Sequence, residues 1–107
     1  MNYRLMRVLL FFDLPVVEND EKREYIRFRK FLLRDGYEML QYSVYSRVCS
    51  NKDAANKHIQ RAIVSAPKNG AIRALVLTEK QYGDMIIILG SLTKQEKKVT
   101  SKRLLIM

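Results

Sequence analysis

The sequence predicts an α+β domain in which two strand–helix–strand units share one antiparallel sheet. Two observations carry this. Apolar residues gather in runs of strand length at Met6–Phe12, Tyr37–Cys49, Ala71–Thr78 and Met85–Leu89. Between them lie two stretches of helical period, one after Pro15 and one after Ser50. At 107 residues the chain is one domain.

The first run, Met6 to Phe12, is apolar apart from Arg7 and reads as a strand buried on both faces. It ends in Asp13, and Pro15 stops it. Asn19 or Asp20 is expected to cap the helix that follows, whose first turn is acidic (Asp20, Glu21). That helix should end at Gly36. Tyr25, Phe28, Phe31 and Leu32 share one side of it. Arg23, Arg27, Lys30 and Arg34 gather on the other. "YEMLQYSVYSRVC" is long enough for two short strands with a bend near Gln41–Ser43. Ser50 to Asp53 resembles a capping box opening a second helix, which carries Ala55, Ile59, Ala62, Ile63 and Ala66 at helical spacing. Pro67 and Asn69-Gly70 end it. "AIRALVLT" and "MIIIL" read as two further strands joined by a polar turn at Glu79–Asp84. Residues 1–90 form the domain. Residues 91–107 read as a basic linker and a short apolar strand for dimer or partner docking.

The order is that of the split βαβ, or ferredoxin-like, arrangement with extra C-terminal strands. Right-handed crossovers put both helices on one sheet face. Strands one, four and five are apolar on both faces, so large side chains would lie bare on the other. Leaving five or six of them wet forfeits on the order of 10 kcal/mol. The expectation is an obligate homodimer, sheet face to sheet face, about a twofold axis.

Net charge is +9, from twenty Lys/Arg against eleven Asp/Glu. Such an excess favours a polyanion, most often nucleic acid, although basic charge also simply aids solubility. Residues 67–107 carry eight of the basic groups and three of the acidic ones, so the C-terminal third is the most cationic. No apolar run approaches the roughly 20 residues of a membrane span. The N-terminus shows no small-residue cleavage site, and Cys49 is the single cysteine. A cytoplasmic protein without a membrane anchor is expected.

Asp13 is the candidate for chemistry. Two copies meeting at a twofold axis would repel as bare carboxylates, and a hard cation such as Mg²⁺ between them would hold both ionised. Equally, Asp13 could accept backbone N–H bonds in the Asp-Leu-Pro turn and do nothing else. His58 reads as a solvated side chain on the second helix, and Cys49 and the methionines as core filler.

Three segments carry a resemblance: "RVLLFFDLP", "EKREYIRFRKFLLRDGYEMLQYSVYSR" and "LVLTEKQYGDM". With them the chain resembles the small CRISPR-associated adaptation protein, the second of the two widespread spacer-acquisition proteins, in its type II forms. The resemblance implies a ferredoxin-like homodimer and a family attribution of metal-dependent endonuclease activity on RNA or DNA. It implies that Asp13 is the catalytic acid and Mg²⁺ ligand. Ser43 and Tyr45 match the family's Ser-Val-aromatic motif, with Tyr45 adding a hydroxyl where phenylalanine is frequent. It further implies a central dimer that bridges two dimers of the CRISPR integrase and holds prespacer duplex DNA, while the integration chemistry belongs to that partner.

Three readings follow. A DNA-binding adaptor would use the stripe Arg23, Arg27, Lys30 and Arg34 on phosphates, although a charged face opposite a core face is ordinary. A nuclease would use Asp13, yet one carboxylate per chain is thin for phosphodiester hydrolysis. An RNA-recognition domain on the same fold would need an aromatic pattern that "SVYSRV" does not supply. At the C-terminus, Leu104, Leu105 and Ile106 either add as a strand to the integrase or pair within the dimer.

Overall fold

A computed structural model describes residues 5–99. The chain runs β1 (Met6–Asp13), α1 (Asn19–Arg34), β2 (Glu38–Gln41), β3 (Val44–Cys49), α2 (Lys52–Ser65), β4 (Ala71–Thr78) and α3 (Glu79–Gly83). The strands form one sheet in the order β2-β3-β1-β4, with every neighbouring pair antiparallel. This is the ferredoxin-like order, with the most buried strand, β1, in a central position.

Register sorts the side chains of β1. Leu10 pairs with Tyr45 and Ala74, and Phe12 with Ile72. On this face Val8, Leu10 and Phe12 meet Phe28 and Leu32 of α1 and Ala55 and Ala62 of α2 in the core. The periodicity of α1 therefore delivers its apolar side as expected, with Tyr25 and Phe31 packed against the margin. Gly36 ends α1 at φ 93°, in the left-handed region that suits glycine. The bend between β2 and β3 falls at Tyr42-Ser43.

The helix starts differ from expectation. Asn19 is the first residue of α1, not its cap. The Glu21 carboxylate folds back to accept from the backbone N–H groups of Glu18 (2.8 Å) and Val17 (3.2 Å). For α2 the cap is Asn51, whose Oδ1 accepts from the Ala54 N–H at 2.8 Å. Ser50 stays outside because Asn51 already satisfies an orphan donor of the first turn.

The larger corrections lie after β4. Glu79–Gly83 is a short helix, not a turn. Thr78 Oγ1 accepts from the Gln81 N–H at 3.0 Å, and Gln81 Oε1 accepts from the Thr78 N–H at 2.9 Å. Met85–Leu89 is not a strand in the single chain; Ile86, Ile88 and Leu89 are 83–95% exposed. Residues 94–99 are helical where a loop was expected.

The sheet face away from α1 and α2 is less bare than its sequence suggests, because α3 folds over one end of it. Arg7 is fully buried there beneath Tyr82, its guanidinium carbon 4.2 Å from the ring centroid. Leu9 is buried as well, leaving Phe11 and Leu75 as the exposed large apolar side chains of β1 and β4 on that face.

Candidate functional site

Asp13 is the last residue of β1 and pairs with Ala71 at the start of β4. By alternation it shares the face of Phe11 and Leu9, away from the helices. The side chain is exposed and enters no ion pair among the described residues. Its backbone is held closely. A Cβ on Gly70 would stand 2.8 Å from the Asp13 carbonyl oxygen and 2.8 Å from Leu14, and Gly70 has φ 111°. Only glycine lets the α2–β4 connection pass so near the strand end.

Ser43 lies beside this end. Its φ of 63° is unusual for a residue with a side chain, and its carbonyl accepts from the Phe12 N–H at 3.1 Å. The Ser43 backbone thus ties the tip of the β2–β3 hairpin to the residue before Asp13. Tyr45 is fully buried, stacked on Phe12 with centroids 5.5 Å apart and planes 21° apart. Its hydroxyl has no hydrogen-bond partner among the described residues. The Ser-Val-aromatic motif therefore supports the strand end from beneath: Ser43 through its carbonyl, Tyr45 through its ring.

Arg23, Arg27, Lys30 and Arg34 are all exposed along one flank of α1. Arg27 is already engaged, by the Glu24 carboxylate at 3.0 Å and the Ser65 carbonyl at 2.8 Å. The Glu24 carboxyl is held below its ordinary range by that hydrogen bond from Arg27. Arg23, Lys30 and Arg34 form no such pair among the described residues. Leu104, Leu105 and Ile106 lie outside the described residues.

Two readings of single residues change. His58 is not a free surface group. Its Nδ1 lies 2.8 Å from Asp35 Oδ2, and Arg61 holds the other carboxylate oxygen at 2.8 Å. Asp35 is nearly buried at the C-terminus of α1, so burial demands these partners. Met39 and Met85 are about half exposed and fill no core, whereas Cys49 is buried and its thiol is pushed up by burial.

Sequence reasoning passed over Arg73, the one cation inside the apolar run of β4. It pairs across from Phe11, one alternation step from Asp13 on the same face, and is exposed. The signal was present: a charge interrupting "AIRALVLT" at an odd position must sit away from the core.

As for metal, no cluster of three or more potential ligands exists among the described residues. One chain offers Asp13 alone at this site. That fits Mg²⁺, which keeps its waters and is held by one or two carboxylates, and does not fit a closed structural site.

The family model for CRISPR associated protein Cas2 matches residues 6–85. Curated relatives agree. The chain is 48% identical over 99 residues to the CRISPR-associated endoribonuclease Cas2 of Acidovorax ebreus, covering 92% of this chain and 97% of that protein. It is 42% identical to the protein of the same name from Ligilactobacillus salivarius, covering 94% of this chain and all of that one. The protein of the same name from Treponema denticola is 40% identical over 105 residues, covering 95% of this chain and all of that one. The matched span runs from the first residue of β1 past α3 and takes in Asp13, the hairpin and the basic flank, so the chain belongs to the Cas2 family.

Proposed function

We propose that this chain is the cytoplasmic adaptor of CRISPR spacer acquisition: a homodimer that bridges dimers of the integrase and holds prespacer duplex DNA. The observation that carries the nucleic-acid part is the flank of α1. Arg23, Lys30 and Arg34 stand exposed and form no ion pair among the described residues, on a chain of net charge +9. Such a row binds phosphates without reading bases.

Support for the dimer comes from two unfinished features. The outer edge of β4 lacks a neighbouring strand among the described residues. Met85–Leu89 presents five exposed apolar residues close after it. A second copy supplies both halves, an edge and a strand to cover it. Burying each large side chain contributes about 1.5–3 kcal/mol. The apolar C-terminus, Leu104 to Ile106, is proposed as the integrase docking strand.

A second reading is favoured by the relatives' name, endoribonuclease, and by the exposed Asp13 at a strand end, in no ion pair among the described residues. In it, Asp13 holds Mg²⁺ and the protein cleaves RNA or DNA phosphodiesters. Bound there, Mg²⁺ would neutralise phosphate charge and acidify a water. Asp13 would hold the ion, and Gly70 and Ser43 fix the backbone that carries Asp13.

The test separates the two. Lys30→Ala with Arg34→Ala should lower the salt dependence of duplex binding by roughly two units. An unchanged slope removes the flank from the DNA surface. Asp13→Ala should leave spacer acquisition intact under the adaptor reading and abolish Mg²⁺-dependent cleavage under the nuclease reading.

A further inference from the structure

We infer that Arg73 is a phosphate-binding residue of the Asp13 site, gripping a nucleic-acid phosphodiester beside that carboxylate. The inference rests on the second reading above, in which Asp13 holds Mg²⁺ against a nucleic-acid phosphate, and deepens it.

Arg73 is paired across from Phe11, and Asp13 lies two residues further along β1, across from Ala71. Cross-strand partners point to the same face, so Arg73, Phe11 and Asp13 lie together on the side away from α1 and α2. Diagonal neighbours of this kind are within reach of long side chains. Both residues stand on strand backbone, in a register fixed by the β1–β4 ladder. Groups mounted on strands hold their spacing better than groups on loops.

Three arginines stand in the sheet, and two are already engaged. Arg7 is buried and gives two N–H groups to Glu79. Arg47 donates to the Asp35 carbonyl at 2.6 Å and to the Val48 carbonyl at 2.8 Å. In the single chain Arg73 is exposed and enters no ion pair among the described residues, and the equally unpaired Asp13 occupies the diagonal position on β1. Opposite charges at diagonal positions that form no ion pair leave both free for a third body.

A phosphodiester supplies that third body. Its two non-bridging oxygens match the planar fork of a guanidinium. The same phosphate is repelled by a bare carboxylate and attracted to one that carries a hydrated divalent cation. Arg73 and Asp13 thus divide the task, one holding the phosphate directly and the other through its cation. Phe11 and Leu75 flank them with apolar surface, which strengthens a charge-assisted hydrogen bond.

The experiment uses the full chain, as Arg73→Ala, Arg73→Lys and Asp13→Asn. Binding to a fluorescein-labelled DNA duplex and to a labelled single-stranded RNA is followed by anisotropy over a salt series, with Mg²⁺ and with chelator. Arg73→Ala should bind about tenfold more weakly, with a salt slope lower by about one unit. Arg73→Lys should keep the slope and lose part of the affinity, because it keeps the charge and not the fork. The gain in affinity on adding Mg²⁺ should disappear in both Arg73→Ala and Asp13→Asn. A wild-type slope and a wild-type Mg²⁺ gain in Arg73→Ala overturn the inference and leave the nucleic-acid reading standing. Sedimentation that shows wild-type dimers and Arg73→Ala monomers also overturns it, by assigning Arg73 to the subunit contact. A wild-type protein that binds neither probe removes the nucleic-acid reading together with the inference.

Discussion

Arg7 and Glu79, seventy-two residues apart in sequence, close a buried bidentate pair: Nη2 to Oε1 at 2.7 Å and Nε to Oε2 at 3.1 Å. The two side chains are 0% and 5% exposed. The pair joins the start of the central strand β1 to the first residue of α3. Removing one partner leaves an uncompensated buried charge, so Glu79→Ala should cost about 3–5 kcal/mol. Replacing both by apolar residues of similar size should cost far less. Urea denaturation of the single and double variants measures the difference, and equal losses in both would refute the pairing argument.

Tyr45 gives a prediction of opposite sign for a similar excision. Its ring is fully buried on Phe12, while its hydroxyl has no hydrogen-bond partner among the described residues. Tyr45→Phe removes a polar group that burial penalises and keeps the stack, so stability should hold or rise. Tyr45→Ala removes the ring and should cost about 3–5 kcal/mol. A large loss in Tyr45→Phe would mean that the hydroxyl is satisfied in solution.

Gly70 should resist even the smallest side chain. Alanine there meets the Asp13 carbonyl and Leu14 at 2.8 Å and must adopt φ 111°. The backbone strain alone costs on the order of 1–3 kcal/mol. Relief would come by displacing the end of β1. Gly70→Ala should therefore lower the melting temperature and, under the proposed Asp13 reading, weaken any Mg²⁺-dependent cleavage with it. Normal Mg²⁺ dependence in a destabilised Gly70→Ala would separate the turn from the site.

Alkaline pH should unfold the chain through its tyrosines. Burial, with Asp35 nearby, raises the Tyr37 hydroxyl well above the ordinary tyrosine range. Burial and the hydrogen bond to Glu96 do the same to Tyr82. A group whose folded pKa is raised keeps its full contribution below the unfolded value, about pH 10 for tyrosine. Above it the unfolded chain sheds the proton first, so stability falls as pH rises, by up to about 1.4 kcal/mol per pH unit for each group. Tyr82→Phe should flatten that fall. Denaturation midpoints measured on either side of pH 10 check it, and a slope unchanged in Tyr82→Phe would exonerate that residue.

Much of the fold was legible because local and long-range signals coincide in β1, α1 and the hairpin. Gly36 and the Tyr42-Ser43 bend fell where composition placed them. The misreading of Met85–Leu89 has a physical source: strand composition describes what a segment suits, and in the single chain this segment pairs with none of the described strands. Residues Glu79–Gly83 looked polar and turn-like, yet the Thr78–Gln81 exchange of hydrogen bonds makes a helix start there. Asp13 was visible as an acid ending an apolar run. Arg73 was not, because its meaning depends on register with β1, which no local window contains. His58 was misplaced for the same reason, its partner Asp35 lying twenty-three positions away.

The two helices are pinned at two points: Arg27 to the Ser65 carbonyl, and Asp35 to both His58 and Arg61. Inserting one residue between Arg27 and Asp35 would swing everything beyond it by about 100° and unfasten one pin. The helical layer is consequently a ruler of fixed length, and drift in chain length within this lineage should be absorbed by its loops while the eight-residue interval from Arg27 to Asp35 stays constant.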